Sequence, residues 1–261
     1  SEYRFLLKNA DDNILETFNL SAGRDLSARI NLTAGNYTLA IEPAGYINAS
    51  EPFALTFTSS AVDDGVEAEP NDTLAQANAI EVGKTMRGRV SVDTDTDYFK
   101  LTLSTTKMLD FTFKTAAGAA GHYGLDVLIG DTVINHISLP GSGTFSTLSA
   151  GLYPGLYFLK VTGTGVSSSD DYTIEIVEVT GADREIEGNN TKAFANGLIS
   201  GILKQARTYS DTGIDFFGVT FSSLGYFGIT LNALTQGVNF NVEVFNAEDR
   251  FLMDFTVQGG T

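Results

Sequence analysis

Four oxygen-bearing side chains, Glu67, Glu69, Asn71 and Asp72, fall within six residues, and a loop further along adds Asp93, Asp95 and Asp97. Calcium takes six to eight oxygen ligands from carboxylates, amide carbonyls and backbone, so this set suits a hard cation. In an extended segment side chains alternate, which puts Glu67, Glu69 and Asn71 on one side where they can converge. The same residues also fit a simpler role, in which acids solvate the surface while Asp and Asn cap turns. The residue types alone leave both readings open. Without a cation the gathered carboxylates repel one another, and screening over about 8 to 10 Å relieves this only in part. A cation that binds only the ordered linker stabilises that order.

Other chemistry finds little support. The chain has no cysteine, which removes thiolate metal sites and thiol redox catalysis. His122 and His136 lack the spacing of a zinc-protease helix, and no G-x-S-x-G nucleophile turn occurs. A carboxylate pair of the glycosidase kind is conceivable, yet the acids recur beside a linker, which favours a structural role. No enzyme activity is expected. Tyr98, Tyr123 and Phe158 stand as outward-facing candidates for partner contact.

The acid-rich segment occurs twice. Glu67 to Ser104 matches Glu185 to Ser222 without a gap, 118 residues later, with identities that include Glu69 and Glu187, Asn71 and Asn189, Asn78 and Asn196, Arg89 and Arg207, Asp93 and Asp211, and Asp97 and Asp215. Asp72 is replaced by Asn190 and Asp95 by Gly213, so the second set holds two fewer carboxylates and calcium affinity is expected to be weaker there. Further matches join Ala34–Leu39 to Pro154–Leu159 and Asn9–Asp12 to Asn246–Asp249. The array thus reads as three copies: the C-terminal part of one unit over 1–62, a complete unit over 66–179, and the N-terminal part of a third over 184–261.

The elements that must hold these residues are strands. Phe99, Leu101 and Leu103 alternate with polar neighbours, as do Leu109, Phe111 and Phe113, then Tyr157, Leu159 and Val161, then Tyr172, Ile174 and Ile176. Short strands at 8 to 12 residue spacing, with turns rich in Gly, Asn and Ser, predict antiparallel β-sandwiches. Helical candidates are confined to short segments near 73–80 and 191–198.

At the level of motifs, Glu69-Pro70-Asn71-Asp72-Thr73, Gly83, Asp97-Tyr98-Phe99, Gly155-Leu156-Tyr157 and Asp171-Tyr172-Thr173 resemble the bacterial pre-peptidase C-terminal domain. That family is a jelly-roll-like β-sandwich related to the collagen-binding domains of clostridial collagenases. The resemblance covers the middle copy fully and its neighbours in part; the third copy departs from it with Gly188 and Asn190. It implies an all-β, tandem jelly-roll-like fold and a non-catalytic module of secreted or cell-surface proteins. It also implies that Glu67, Glu69, Asn71, Asp72, Asp93 and Asp97 bind calcium and order the linker, and by repetition Glu185, Glu187, Asn189, Asp211 and Asp215.

With 32 acidic against 16 basic residues, the formal charge is -16, which repels polyanions and argues against nucleic acid. No run reaches the roughly 18 to 20 apolar residues that span a bilayer, so no membrane insertion is expected. The start at Ser1, in mid-pattern, suggests a processed product or a window of something longer. Sequons at Asn19, Asn31, Asn36, Asn48, Asn71 and Asn189 are expected to be mostly coincidental. Three roles follow: a surface or adhesive array with calcium-stiffened linkers, an accessory module holding a secreted hydrolase on collagen or polysaccharide, or a filament subunit that completes itself by strand exchange between copies.

Overall fold

The computed structural model describes residues 3–21, 29–44, 54–61, 64–91, 93–166, 171–180, 183–208, 213–232 and 237–259. The protein is all-β, and no α-helix occurs among the described residues. Two compact units are present, Ser1–Val219 and Thr220–Thr261.

Within the first unit, β1 (Tyr3–Lys8), β2 (Ile14–Leu20) and β3 (Thr38–Pro43) form an antiparallel sheet in the order β2-β1-β3. The next strands are β4 (Asn78–Ala79), β5 (Thr85–Gly88), β6 (Thr96–Leu103), β7 (Lys107–Thr115), β8 (His122–Ile129), β9 (Thr132–Pro140), β10 (Phe145–Leu152), β11 (Gly155–Thr164) and β12 (Tyr172–Glu178). They make two sheets, β10-β7-β12-β5 and β4-β6-β11-β8-β9, antiparallel except for the two-residue pairing of β4 with β6. The alternating apolar residues bury themselves between these sheets: Phe99, Leu101, Leu125, Val127, Leu159 and Val161 against Leu109, Phe111, Phe113, Leu148, Ile174 and Ile176. Each such side chain contributes about 1.5 to 3 kcal/mol through burial. Tyr172 meets Phe113 edge-on with ring centroids 5.5 Å apart and Phe99 at 6.4 Å, tying the two layers together.

The repeat in the sequence is a repeat in geometry. Tyr37 Oη donates to Thr33 O at 2.8 Å, and Tyr157 Oη to Tyr153 O at 3.0 Å, so the two glycine-tyrosine turns close alike. In the second unit β15 (Asn239–Phe245) and β16 (Phe251–Gln258) form a hairpin whose turn matches that between β1 and β2. Asn9 Oδ1 accepts from Asp11 N and Asn13 N, while Asn246 Oδ1 accepts from Glu248 N and Arg250 N. Asp12 and Asp249 take left-handed backbone at φ 68° and 65°, a conformation that Asp tolerates.

Two expectations need correction. Tyr123 does not face outward: it lies in phase with Leu125 and Val127 on β8, is buried, and stacks edge-on against Phe113 at 6.4 Å. The helical candidates shrink to a turn at 73–76 and a 3-10 turn at Lys192–Phe194, after which the chain enters β4 and β13 (Asn196–Gly197). β13 pairs in parallel with β14 (Phe217–Gly218). Asn78 and Asn196 lie on the short strands β4 and β13, and their side chains hold the preceding linker.

Candidate metal centre

The linker from Val66 to Asn71 is extended, and its burial alternates: Glu67, Glu69 and Asn71 are buried while Val66, Ala68 and Pro70 are half-buried. Backbone bonds hold it on both sides. Glu67 N donates to Arg87 O at 2.9 Å, Glu69 N to Asn31 O at 3.0 Å, and Thr33 N to Glu69 O at 2.8 Å. The linker therefore joins the segment after the first sheet to the sandwich that follows. Asn78 clamps its middle, with Oδ1 accepting from Ala68 N at 2.6 Å and Nδ2 donating to Ala68 O at 3.0 Å.

The second linker repeats this scheme. Glu185 N donates to Gln205 O at 2.8 Å, Glu187 N to Gly151 O at 2.7 Å, and Gly151 N to Glu185 O at 3.2 Å. Asn196 holds Ile186 through both its amide atoms. The backbone bonds of these linkers cross the expected boundaries near 62–66 and 179–184, both of which lie inside the first compact unit.

At the first linker Glu67, Glu69 and Asp97 bring carboxylate oxygens within 4.8 Å of one another, all three residues being buried. Asp97 arrives from β6, whose strict alternation points it inward, and is fully buried with Asn71. Tyr172 Oη donates its one proton to Asp97 Oδ2 at 2.6 Å and lies 3.2 Å from Glu67 Oε2, while Asn71 Nδ2 donates to Glu67 Oε2 at 3.3 Å. These donors are too few. Glu69 Oε1, Asn71 Oδ1 and Asp97 Oδ1 are buried without a hydrogen-bond partner. Each such oxygen costs about 1 to 3 kcal/mol unless something electropositive meets it. Buried, unpartnered acceptors in one place are the chemistry of a cation cage, and the oxygen-only donor set fits calcium.

Electrostatics agree in direction. Burial first, then the Asp95 carboxylate, pushes Glu67 up to about 8, and burial with Asp95, Glu67 and Asp72 pushes Glu69 up to about 9. Burial raises Asp97 well above its ordinary range, with Glu67 adding to the effect. Asp95 is pushed up to about 7 by burial, against a bond from Ser91 N. Asp95 lies outside the three-carboxylate group, with Oδ2 accepting from Ser91 N at 2.6 Å, and acts on it through charge.

The remaining expected residues divide. Asp72 stands at the margin, its Oδ1 accepting from Thr96 N at 3.4 Å. Asp93 is exposed, accepts from Gly165 N at 2.8 Å and Val166 N at 3.4 Å, and closes a loop away from the three-carboxylate group. At the second linker Glu185, Glu187 and Asn189 are buried and Asp215 half-buried. Glu185 Oε2 and both side-chain amide atoms of Asn189 lack hydrogen-bond partners, and the close three-carboxylate grouping of the first linker is not repeated among the described residues here. Burial raises Glu185 to about 7 and Glu187 to about 8, with Asp215 and Glu185 respectively adding repulsion. Asp211 lies outside the described residues.

Residues without an assigned role in the sequence reading prove central. Asn78 and Asn196 clamp the linkers, and their identity across the repeat was the available signal. Gly88 faces the cluster so closely that a Cβ there would collide with Tyr172 Oη and Glu67 Oε2. Arg89 bridges Asp171 at 2.6 Å and Glu16 at 3.3 Å, joining the sandwich to β2.

His122 and His136 lie exposed on β8 and β9, His136 beside Asp126 at 2.6 Å, a cross-strand pair on an open sheet face. Asn31, Asn71 and Asn189 are buried, which withdraws three sequons from modification of the folded chain, and Asn48 lies outside the described residues. Among the described residues no helix is long and apolar enough to cross a membrane.

No family model matches the chain, and no curated protein matches it. Among solved structures, the pre-peptidase C-terminal domain of a collagenase from Bacillus anthracis is similar, at 18% identity and a TM-score of 0.31, over 38% of this chain and 93% of that one.

Proposed function

We propose that the protein is a non-catalytic, extracellular array of β-sandwich repeats whose linkers are braced by calcium. Each repeat's principal partner is the next repeat along the same chain. The observation that carries this reading is the set of buried, unpartnered oxygens on Glu69, Asn71 and Asp97 at a linker whose backbone is bonded to the segments on both sides. A calcium ion there offsets two of the three carboxylate charges and ties β6 to the linker, which orders the joint. Glu67, Glu69, Asn71 and Asp97 would hold the ion, with Asp95 adjacent; Glu185, Glu187, Asn189 and Asp215 would hold a weaker one. Extracellular modules bind calcium with Kd of about 10⁻⁴ to 10⁻³ M, matched to a millimolar calcium environment. Thermal unfolding of the intact chain, with and without millimolar calcium, tests the reading. A midpoint that rises with calcium in the parent and rises distinctly less in a Glu67→Gln/Asp97→Asn variant, where only the second linker remains, supports it; no calcium dependence in the parent refutes it.

A further inference from the structure

Three hairpins share one irregularity. The ladder of β1 with β2 shifts register beyond Leu7–Glu16, that of β8 with β9 beyond Val127–Asn135, and that of β15 with β16 beyond Val244–Met253. One extra residue on the second strand bulges each time, so Glu16, Asn135 and Met253 occupy equivalent places. Met253 carries neither oxygen nor nitrogen in its side chain and is 49% exposed, so the bulge itself does not require a polar residue there. Glu16 and Asn135 are nevertheless buried, at 2% and 1% exposure. In a β-strand interior such burial of a polar group needs partners.

Those partners lie in the linker that follows. Asn135 keeps its Oδ1 on His136 N at 3.0 Å and extends Nδ2 to Glu187 Oε1 at 3.2 Å. Glu16 does the same locally, with Oε1 accepting from Thr17 N at 2.9 Å, and its Oε2 accepts from Arg89 Nη1 at 3.3 Å. The backbone N–H of Arg89 in turn donates to Glu67 Oε1. At both joints one buried side chain of the preceding repeat reaches the linker acids, directly at the second and through Arg89 at the first.

We propose that this hairpin position is the latch that couples each calcium site to the repeat before it, and that Asn135 positions the Glu187 carboxylate for the ion. The inference rests on the calcium reading above. A bond to Oε1 restricts the carboxylate's orientation, as hydrogen-bonded second partners of metal ligands generally do. The latch makes the site a property of two neighbouring repeats, so an ion binds best where both are folded.

The test uses the full-length chain with the first site disabled by Glu67→Gln and Asp97→Asn, titrated with calcium and with europium. Luminescence lifetime counts the waters on europium, which a merely structural role for Asn135 would not change. In that background Glu187→Gln should abolish binding at the second linker. Asn135→Leu, and the smaller Asn135→Ser in case the first disturbs folding, should weaken it about tenfold and add about one water to europium, in line with losses of roughly 10 to 100-fold for such supporting groups. If Glu187→Gln abolishes binding while both Asn135 variants keep affinity and hydration, the latch is overturned and the calcium reading stands. If Glu187→Gln changes nothing and no ion binds the parent chain, the calcium reading fails and the latch with it.

Discussion

Replacing Asp97 by Asn should raise metal-free stability and shrink the stabilisation that calcium adds. Asp97 lies fully buried, with its carboxylate within 4.8 Å of those of Glu67 and Glu69. At an effective dielectric of about 20, each ionised pair at that distance repels by about 3.5 kcal/mol. Protons retained on Glu67 and Glu69 remove much of this near neutrality, so the effect is largest at pH 9, where we expect a gain of about 2 to 3 kcal/mol in the metal-free Asn variant. For a unit of this size that raises the melting midpoint by roughly 4 to 10 °C. Asn keeps an oxygen for the Tyr172 hydroxyl and offers its amide to the neighbouring acids. In calcium the same change removes a charged ligand and should weaken binding at least about tenfold, about 1.4 kcal/mol. Differential scanning calorimetry at pH 9, with chelator or with 10 mM calcium as a working concentration of about 10 to 100 Kd, reads both the metal-free gain and the calcium increment. A variant that is less stable than the parent without calcium, or that gains as much from calcium as the parent does, would refute the cation-cage reasoning.

Further outcomes follow from neighbouring residues. The raised Glu67 and Glu69 carboxyls keep protons in the folded state up to about 8 and 9, whereas the unfolded chain releases them near 4.5. Between those limits the folded state binds more protons, so metal-free stability should fall as pH rises from about 4.5 to 9, and saturating calcium should flatten the profile; melting curves across pH with and without chelator check this. Gly88→Ala should cost about 1 to 3 kcal/mol by forcing Tyr172 and Glu67 apart, measured by urea unfolding, even though Ala206 stands at the matching place in the next copy. Asn78→Ala removes both bonds to Ala68 and should cost about 2 to 3 kcal/mol, with faster amide exchange at Ala68 as its local signature.

Much of the fold was legible because burial follows period two. The alternation in β6, β7, β11 and β12 named the core residues, and the matched turns at Asn9 and Asn246 and at Tyr37 and Tyr157 carried the repeat. Tyr123 is buried because it shares the phase of Leu125 and Val127 on β8, a constraint that outweighs the polar tip of its ring. The convergence of Glu67, Glu69 and Asn71 followed from extended geometry. Asp93 shares the acidic loop with Asp95 and Asp97 yet leaves the cluster, since its side chain serves two backbone N–H groups near Gly165, a partnership between distant segments that composition does not encode. Glu16, Asn135 and Arg89 escaped notice for the same reason: their roles depend on contacts across the joint, and only the hairpin bulge, visible in the pairing register, aligns Glu16 with Asn135.

The most direct test of calcium bracing is calorimetric titration of the intact chain in buffers of differing protonation enthalpy. The account predicts calcium uptake in the range of about 10⁻⁴ to 10⁻³ M accompanied by proton release, because carboxyls that hold protons in the metal-free joint must give them up to the ion. Absence of binding at tens of millimolar calcium, or binding that survives unchanged in a chain carrying Glu67→Gln, Asp97→Asn and Glu187→Gln, would contradict it.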